Sequence, residues 1–181
     1  MPKLLNRLKS DKSLMLAYQM GDAGAFEDLY LRHKDALFAF LFRSCPREAI
    51  VEEVAQETWM AVIKAAERYQ PDALFRTWLY QIAHNRLVDF WRRPDNRHSG
   101  LETAPPEAEN ATAVHSRDAI QKRLMTAIAQ IPAEQRDTLL LQEQGFTQKE
   151  IGEITGVGEE TVKSRLRYAR KQLRELLGDD Q

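Results

Sequence analysis

Six cations and no acid fall between Thr161 and Arg174: Lys163, Arg165, Arg167, Arg170, Lys171 and Arg174. At the helical step of about 100° per residue, Val162, Leu166, Ala169, Leu173, Leu176 and Leu177 share one side. Glu160, Lys163, Ser164, Arg167, Tyr168 and Lys171 share the other. Arginine and lysine donate to guanine edges, serine donates or accepts, and further cations neutralise phosphates. The net charge of −1 over 181 residues offers no bulk attraction to nucleic acid, so the positive charge is gathered on this one segment. A charge run alone also describes a solvated helix face, so its setting decides.

That setting is a pair of helices. Thr147 and Glu150 have the spacing of a capping box, which starts a short helix with Ile151 and Ile154 inward. Gly156-Val-Gly158 breaks it, and a longer helix is expected from Glu159 to Leu177. Two helices across a short glycine turn form a helix-turn-helix, whose second helix enters the major groove by its N-terminal half. Glu160, Lys163, Ser164 and Arg167 are therefore the expected base-facing residues, with Tyr168, Lys171 and Arg174 further along. Ile131-Pro132, Gln135-Arg136 and Leu139–Leu141 read as the supporting helix of the same domain.

A second constellation lies earlier. A helix is expected from Glu48 to Tyr69, with Val51, Val54, Ala55, Thr58, Trp59, Val62, Ile63 and Ala66 as its core side. Glu53, Gln56, Glu57 and Met60 then form an exposed acidic face. After the turn-forming stretch Gln70–Leu74, a further helix begins at Phe75. Phe75, Trp78, Leu79, Ile82, Ala83 and Phe90 share one side; Tyr80, His84 and Trp91 do not fit it, and Arg92 and Arg93 close the helix. Aromatic rings beside arginines suit single-stranded DNA, in which bases stack and cations hold phosphates.

The strings carrying these features are similar to one family. Ile131–Arg136, Gly145–Ile151 and Thr161–Leu166 resemble the fourth conserved region of sigma factors, and Glu53–Trp59 the second. Trp78–Asn85, with Asp89, Arg92 and Arg93, resembles that family's −10 region. The resemblance implies an all-α fold of two small helical domains joined by a flexible linker, the second domain a helix-turn-helix. It implies that Glu53, Gln56, Glu57 and Met60 grip the clamp coiled coil of the largest subunit of core RNA polymerase, with the flap as a further contact. Tyr69 and Asn85, with Arg76 and Tyr80, are implied to capture a flipped base of the −10 element, Arg92 and Arg93 to assist, and Lys163 and Ser164 to lie at −35 contacts. Holding an extruded base offsets unstacking costs of about a few kcal/mol. Tyr168 stands where many members carry arginine, which leaves the base preference at that contact open. A linker in place of the extra domain of housekeeping members points to the extracytoplasmic-function group, for which an anti-sigma factor is an implied partner.

The expected organisation is residues 1–93 as the polymerase and −10 domain, 94–116 as linker, and 117–181 as the −35 domain. Between Pro94 and Ser116 no apolar period is visible; Asp95, Glu102, Glu107 and Glu109 face a single Arg97. With 43% hydrophobic and 29% charged residues, the chain has an ordinary globular composition. The longest apolar run, Ala36–Phe42, is too short to span a bilayer, and Lys3, Arg7 and Lys9 are followed by no signal-type apolar core. A cytoplasmic protein is expected. The lone Cys45 reads as a buried or half-buried thiol, and His33, His84, His98 and His115 have no metal-ligand spacing. No metal, cofactor or catalytic residue is expected, hence no enzyme. The rival function is a free-standing helix-turn-helix transcriptional regulator, which leaves Trp78–Arg93 without a role.

Overall fold

The computed structural model describes residues 9–70, 74–92 and 116–178, with side chains from residue 119 onward in the last stretch. Eight α-helices occur among the described residues, and no strands. The first unit contains α1 (Asp11–Gln19), α2 (Ala23–Ser44), α3 (Glu48–Ala65) and α4 (Phe75–Arg92). The second contains α5 (Ser116–Gln130), α6 (Ala133–Glu143), α7 (Gln148–Thr155) and α8 (Glu159–Leu177). The expected linker lies outside the described residues except for Ser116, which already begins α5.

Local chemistry starts and stops these helices. The side chain of Ser10 accepts from the Ser13 amide at the head of α1, and that of Asp22 from Ala25 at the head of α2. Gly21, at φ 96°, makes the turn between them. The α3 helix ends at Ala65 and tightens into a 3-10 turn at Ala66–Arg68, so the expected helix to Tyr69 closes a few residues early. The side chain of Gln19 donates to the carbonyls of Ala66 (2.6 Å) and Tyr69 (2.9 Å), satisfying acceptors that the end of α3 leaves open.

Leu14, Met15, Leu29, Leu37, Phe40, Val54, Val62, Phe75 and Leu79 are fully or almost fully buried in the first unit. Ile128, Ile131, Leu140, Leu141, Ile151, Ile154, Val162, Leu166 and Ala169 fill the second. Cys45 is buried, in keeping with its reading. Ile63, expected in the core, is 39% exposed: one step past Val62 the helix turns it towards the Met60 side. Leu176, expected on the α8 core stripe, is 40% exposed, lining an open hollow between the end of α8 and α5. The two units pack directly on each other, α4 against α7 and α2 against α6, and their buried apolar side chains form one continuous cluster.

Candidate nucleic-acid and polymerase interfaces

The capping box forms: the Thr147 hydroxyl accepts from the Glu150 amide, and the Glu150 carboxylate accepts from the Thr147 amide at 2.8 Å. These bonds hold the Glu150 carboxyl below its usual range despite partial desolvation. Gly156 adopts the left-handed conformation (φ 71°) that ends α7, and Gly158 caps α8. Gly152 is a requirement the sequence pattern did not reveal. A Cβ there would stand 2.7 Å from the Val157 carbonyl oxygen, so the backbone of the turn can approach α7 only over a glycine.

Val162, Leu166 and Ala169 are buried against the domain, which turns Lys163, Arg167, Tyr168, Lys171 and Arg174 to solvent and leaves Ser164 half-buried. Glu160 is exposed and pairs with Lys163, holding its ammonium above the usual range. Two of the six cations are fastened to α6: Arg165 donates to Glu134 at 2.6 Å, and Arg170 donates to the Gln142 side-chain oxygen. The Arg167 guanidinium lies over the Tyr168 ring, 5.1 Å from its centre. The face is therefore a basic, exposed surface on a helix whose inner side is rigidly seated.

On the first unit, α3 and α4 enclose an open groove of about 510 Å³. Trp78 and Ile82, both half-buried, give it an apolar wall; Asn85 and Asp89 supply polar edges; Lys64, Arg68 and Arg86 supply positive charge. An open concavity with an amide and cations at its rim has room for an unstacked base and its phosphates. Tyr69 lies behind it, 7% exposed, its ring 5.1 Å from Trp78 and 6.3 Å from Phe75. Burial pushes its hydroxyl pKa up.

Tyr80 and Arg76, also expected at the −10 site, face the second unit and not the groove of Asn85. Tyr80 is completely buried, between Phe40 (5.3 Å) and Phe146 of the second unit (4.8 Å). Arg76 lies over the Phe146 ring at 4.1 Å and donates to the Gln144 carbonyl. In this arrangement the second unit covers that side of α4, which buries Tyr80 and leaves Arg76 half-buried. Arg92 is exposed at the end of α4, and Arg93 lies outside the described residues.

On α3, Glu53, Gln56 and Met60 are exposed and Glu57 is half-buried, all on one face. Met60 and Ile63 put an apolar spot at its centre. Among the described residues no cluster of histidine, cysteine and carboxylates could hold a metal ion, and no helix is long and apolar enough to cross a membrane.

Residues 29–97 match the family model of Sigma-70 region 2, and residues 121–173 that of Sigma-70, region 4. The chain is similar to the RNA polymerase sigma factor CarQ of Myxococcus xanthus, 31% identical, over 91% of this chain and 96% of that protein. It is also similar to the ECF RNA polymerase sigma factor SigM of Mycobacterium tuberculosis, 30% identical, over 94% of this chain and 86% of that one. Its fold is shared by CnrH, solved with the cytosolic domain of CnrY, at a TM-score of 0.72 and 24% identity over 96% of this chain and all of CnrH. The sigma factor RpoE of Bartonella quintana, solved with the anti-sigma factor NepR, superposes at 0.68 and 24% identity over 86% of this chain and 98% of RpoE. Matched over both conserved regions and along almost its full length, the chain belongs to the sigma-70 family of RNA polymerase sigma factors, in its extracytoplasmic-function group.

Proposed function

We propose that the chain joins core RNA polymerase through the α3 face, holds a flipped −10 base in the α3–α4 groove, and reads the −35 element with α8. One observation carries this division of labour: two DNA-suited surfaces of different chemistry stand on separate units of one chain. The groove at Asn85 has the shape and charge for an unstacked base, whereas α8 presents donors on a convex helix suited to the duplex major groove. Residues 1–93 are the polymerase and −10 domain and residues 117–181 the −35 domain. Within the groove, Asn85 meets the base edge, Trp78 and Ile82 meet its face, and Lys64, Arg68 and Arg86 meet phosphates.

The acidic α3 face with its Met60–Ile63 apolar spot is suited to a partner of basic and apolar character, and the family resemblance assigns it to the polymerase clamp coiled coil. The chain works in the cytoplasm as a binding subunit; RNA synthesis is the polymerase's chemistry, and no catalytic group is assigned here. An anti-sigma factor is the expected regulator, as named for the complexes of RpoE and NepR.

Gln56→Ala with Glu57→Ala tests the polymerase face. Affinity for core polymerase is expected to fall by about 1–2 kcal/mol with helicity unchanged, because Gln56 is exposed and Glu57 half-buried. Unchanged affinity in a titration with core enzyme would remove α3 from the interface.

A further inference from the structure

Gln19, the last residue of α1, is distant from the groove in sequence and lines no part of it. Its side-chain amide nonetheless donates to the carbonyls of Ala66 and Tyr69, which bracket the 3-10 turn at the end of α3. The Ala66 carbonyl also accepts from the Tyr69 amide at 3.1 Å. The turn is thus closed from within by its own backbone and from outside by one carboxamide. Between the two held carbonyls sits Arg68, a cation of the groove rim. Tyr69 sets its ring against Trp78, the apolar wall of the groove.

The α1 helix is held firmly enough to act this way. At its head the Asp11 carboxylate accepts from Arg32 at 2.6 Å and lies 2.8 Å from the His33 ring nitrogen, both on α2. Leu14 and Met15 are completely buried beneath its middle. The His33 ring lies 5.5 Å from Phe75, the first residue of α4, and Phe75 meets Trp78 at 6.0 Å. One chain of contacts therefore ties the end of α3 to the start of α4, the two walls of the groove. Gln19, half-buried on a seated helix, makes the last link. Water offered to the same carbonyls would satisfy them without fixing their place.

We propose that Gln19 is a positioning residue for base capture: it sets Arg68 and Tyr69, and through Tyr69 the Trp78 ring, at the spacing an unstacked base requires. This role rests on the reading of the α3–α4 groove as the base site. Selection among bases needs groups held to within about 0.5 Å, so losing the tie blurs selection more than it weakens folding.

Holoenzyme assembled from core polymerase and the full chain is offered single-stranded oligonucleotides with a randomised window, and the bound fraction is sequenced. The parental chain should enrich one base at one position, and Asn85→Ala should flatten that position. Gln19→Met keeps the stem and removes both donors; enrichment there is expected to fall about tenfold. Gln19→Lys, whose ammonium can donate to both carbonyls, should keep it. Circular dichroism and small-angle X-ray scattering should show the parental fold in each variant. Should the thioether lower helicity, Gln19→Asn, too short to reach both carbonyls, takes its place. Parental enrichment in a folded Gln19→Met chain would make the two bonds structural only and overturn the positioning role, with the groove reading intact. Flattening in Gln19→Lys as well would take the effect away from the donors and overturn it too. No enrichment by the parental chain, or enrichment that survives Asn85→Ala, would sink the groove reading and this role with it.

Discussion

Gly152 sits where α7 must let the turn backbone pass, and its missing side chain matters more than any side chain nearby. Gly152→Ala drives a Cβ to 2.7 Å from the Val157 carbonyl, against backbone rather than a yielding side chain. The expected cost is roughly 1–3 kcal/mol of second-unit stability, the usual range for overpacking. Denaturant unfolding would measure it, and a neutral substitution would mean that the turn relaxes without penalty. The hydrophobic pattern could not expose this residue, because periodicity records what is buried and is blind to the space a side chain would occupy. Asn85, by contrast, is named by the resemblance of Trp78–Asn85 alone, and it lines the α3–α4 groove.

At the scale of the element, α8 is the clearest case of local sequence dictating a surface. Val162, Leu166 and Ala169 are its buried side, so Lys163 and Arg167 are turned outward with Ser164 beside them. Lys163→Ala or Ser164→Ala is expected to change which −35 sequences support transcription, since a base-edge contact discriminates by about 1–3 kcal/mol. Arg174→Ala should weaken all sequences alike and lower the salt dependence, as loss of a phosphate contact does. Transcription from promoters with randomised −35 elements separates the two. Parental preference in the Lys163 and Ser164 variants, together with altered preference in Arg174→Ala, would put the helix in a different register on the groove. Because Glu160 occupies Lys163 in the free chain, that pair must open for Lys163 to reach a base.

At the scale of the molecule, the packing of the second unit on the first, here called closure, carries two opposed proton linkages. Burial pushes Asp137 up to about 6, against the lowering influence of Arg136, Ser44 of α2 and Arg165 of α8; Glu134 adds to the rise. Burial takes His84 down to about 4; Arg165 adds to the fall and Glu134 opposes it. A raised carboxyl favours closure below its ordinary 3.8, and that contribution is lost as pH rises through about 6. A lowered imidazole favours closure above its ordinary 6.5, and that contribution is lost as pH falls through about 4. The windows overlap, so closure of the parental chain should hardly respond between pH 4 and 6. His84→Gln should unmask weakening as pH rises across that window, and Asp137→Asn weakening as pH falls from 6.5 to 4. Scattering at stepped pH would read both; identical pH profiles for the two variants would show that these groups do not titrate with closure.

Neighbours within a few residues suffice to specify the capping box at Thr147, the glycine turn, the bounds of α8 and the basic face it carries. The start of α4 at Phe75 and the exposed Glu53–Met60 face are equally local, because helical period and turn chemistry act over one or two turns. The misfit of Tyr80 and His84 with the α4 core stripe was also visible in the sequence, but not its cause. Two buried sides on one helix require a second covering surface, and here that surface comes from residues far along the chain: Arg76 meets Gln144, and His84 meets Asp137. Contacts at such separation leave no period in either segment, so packing alone assigns Tyr80 to an interface, Ile63 to the α3 face, and Trp78 and Ile82 to the wall of a groove.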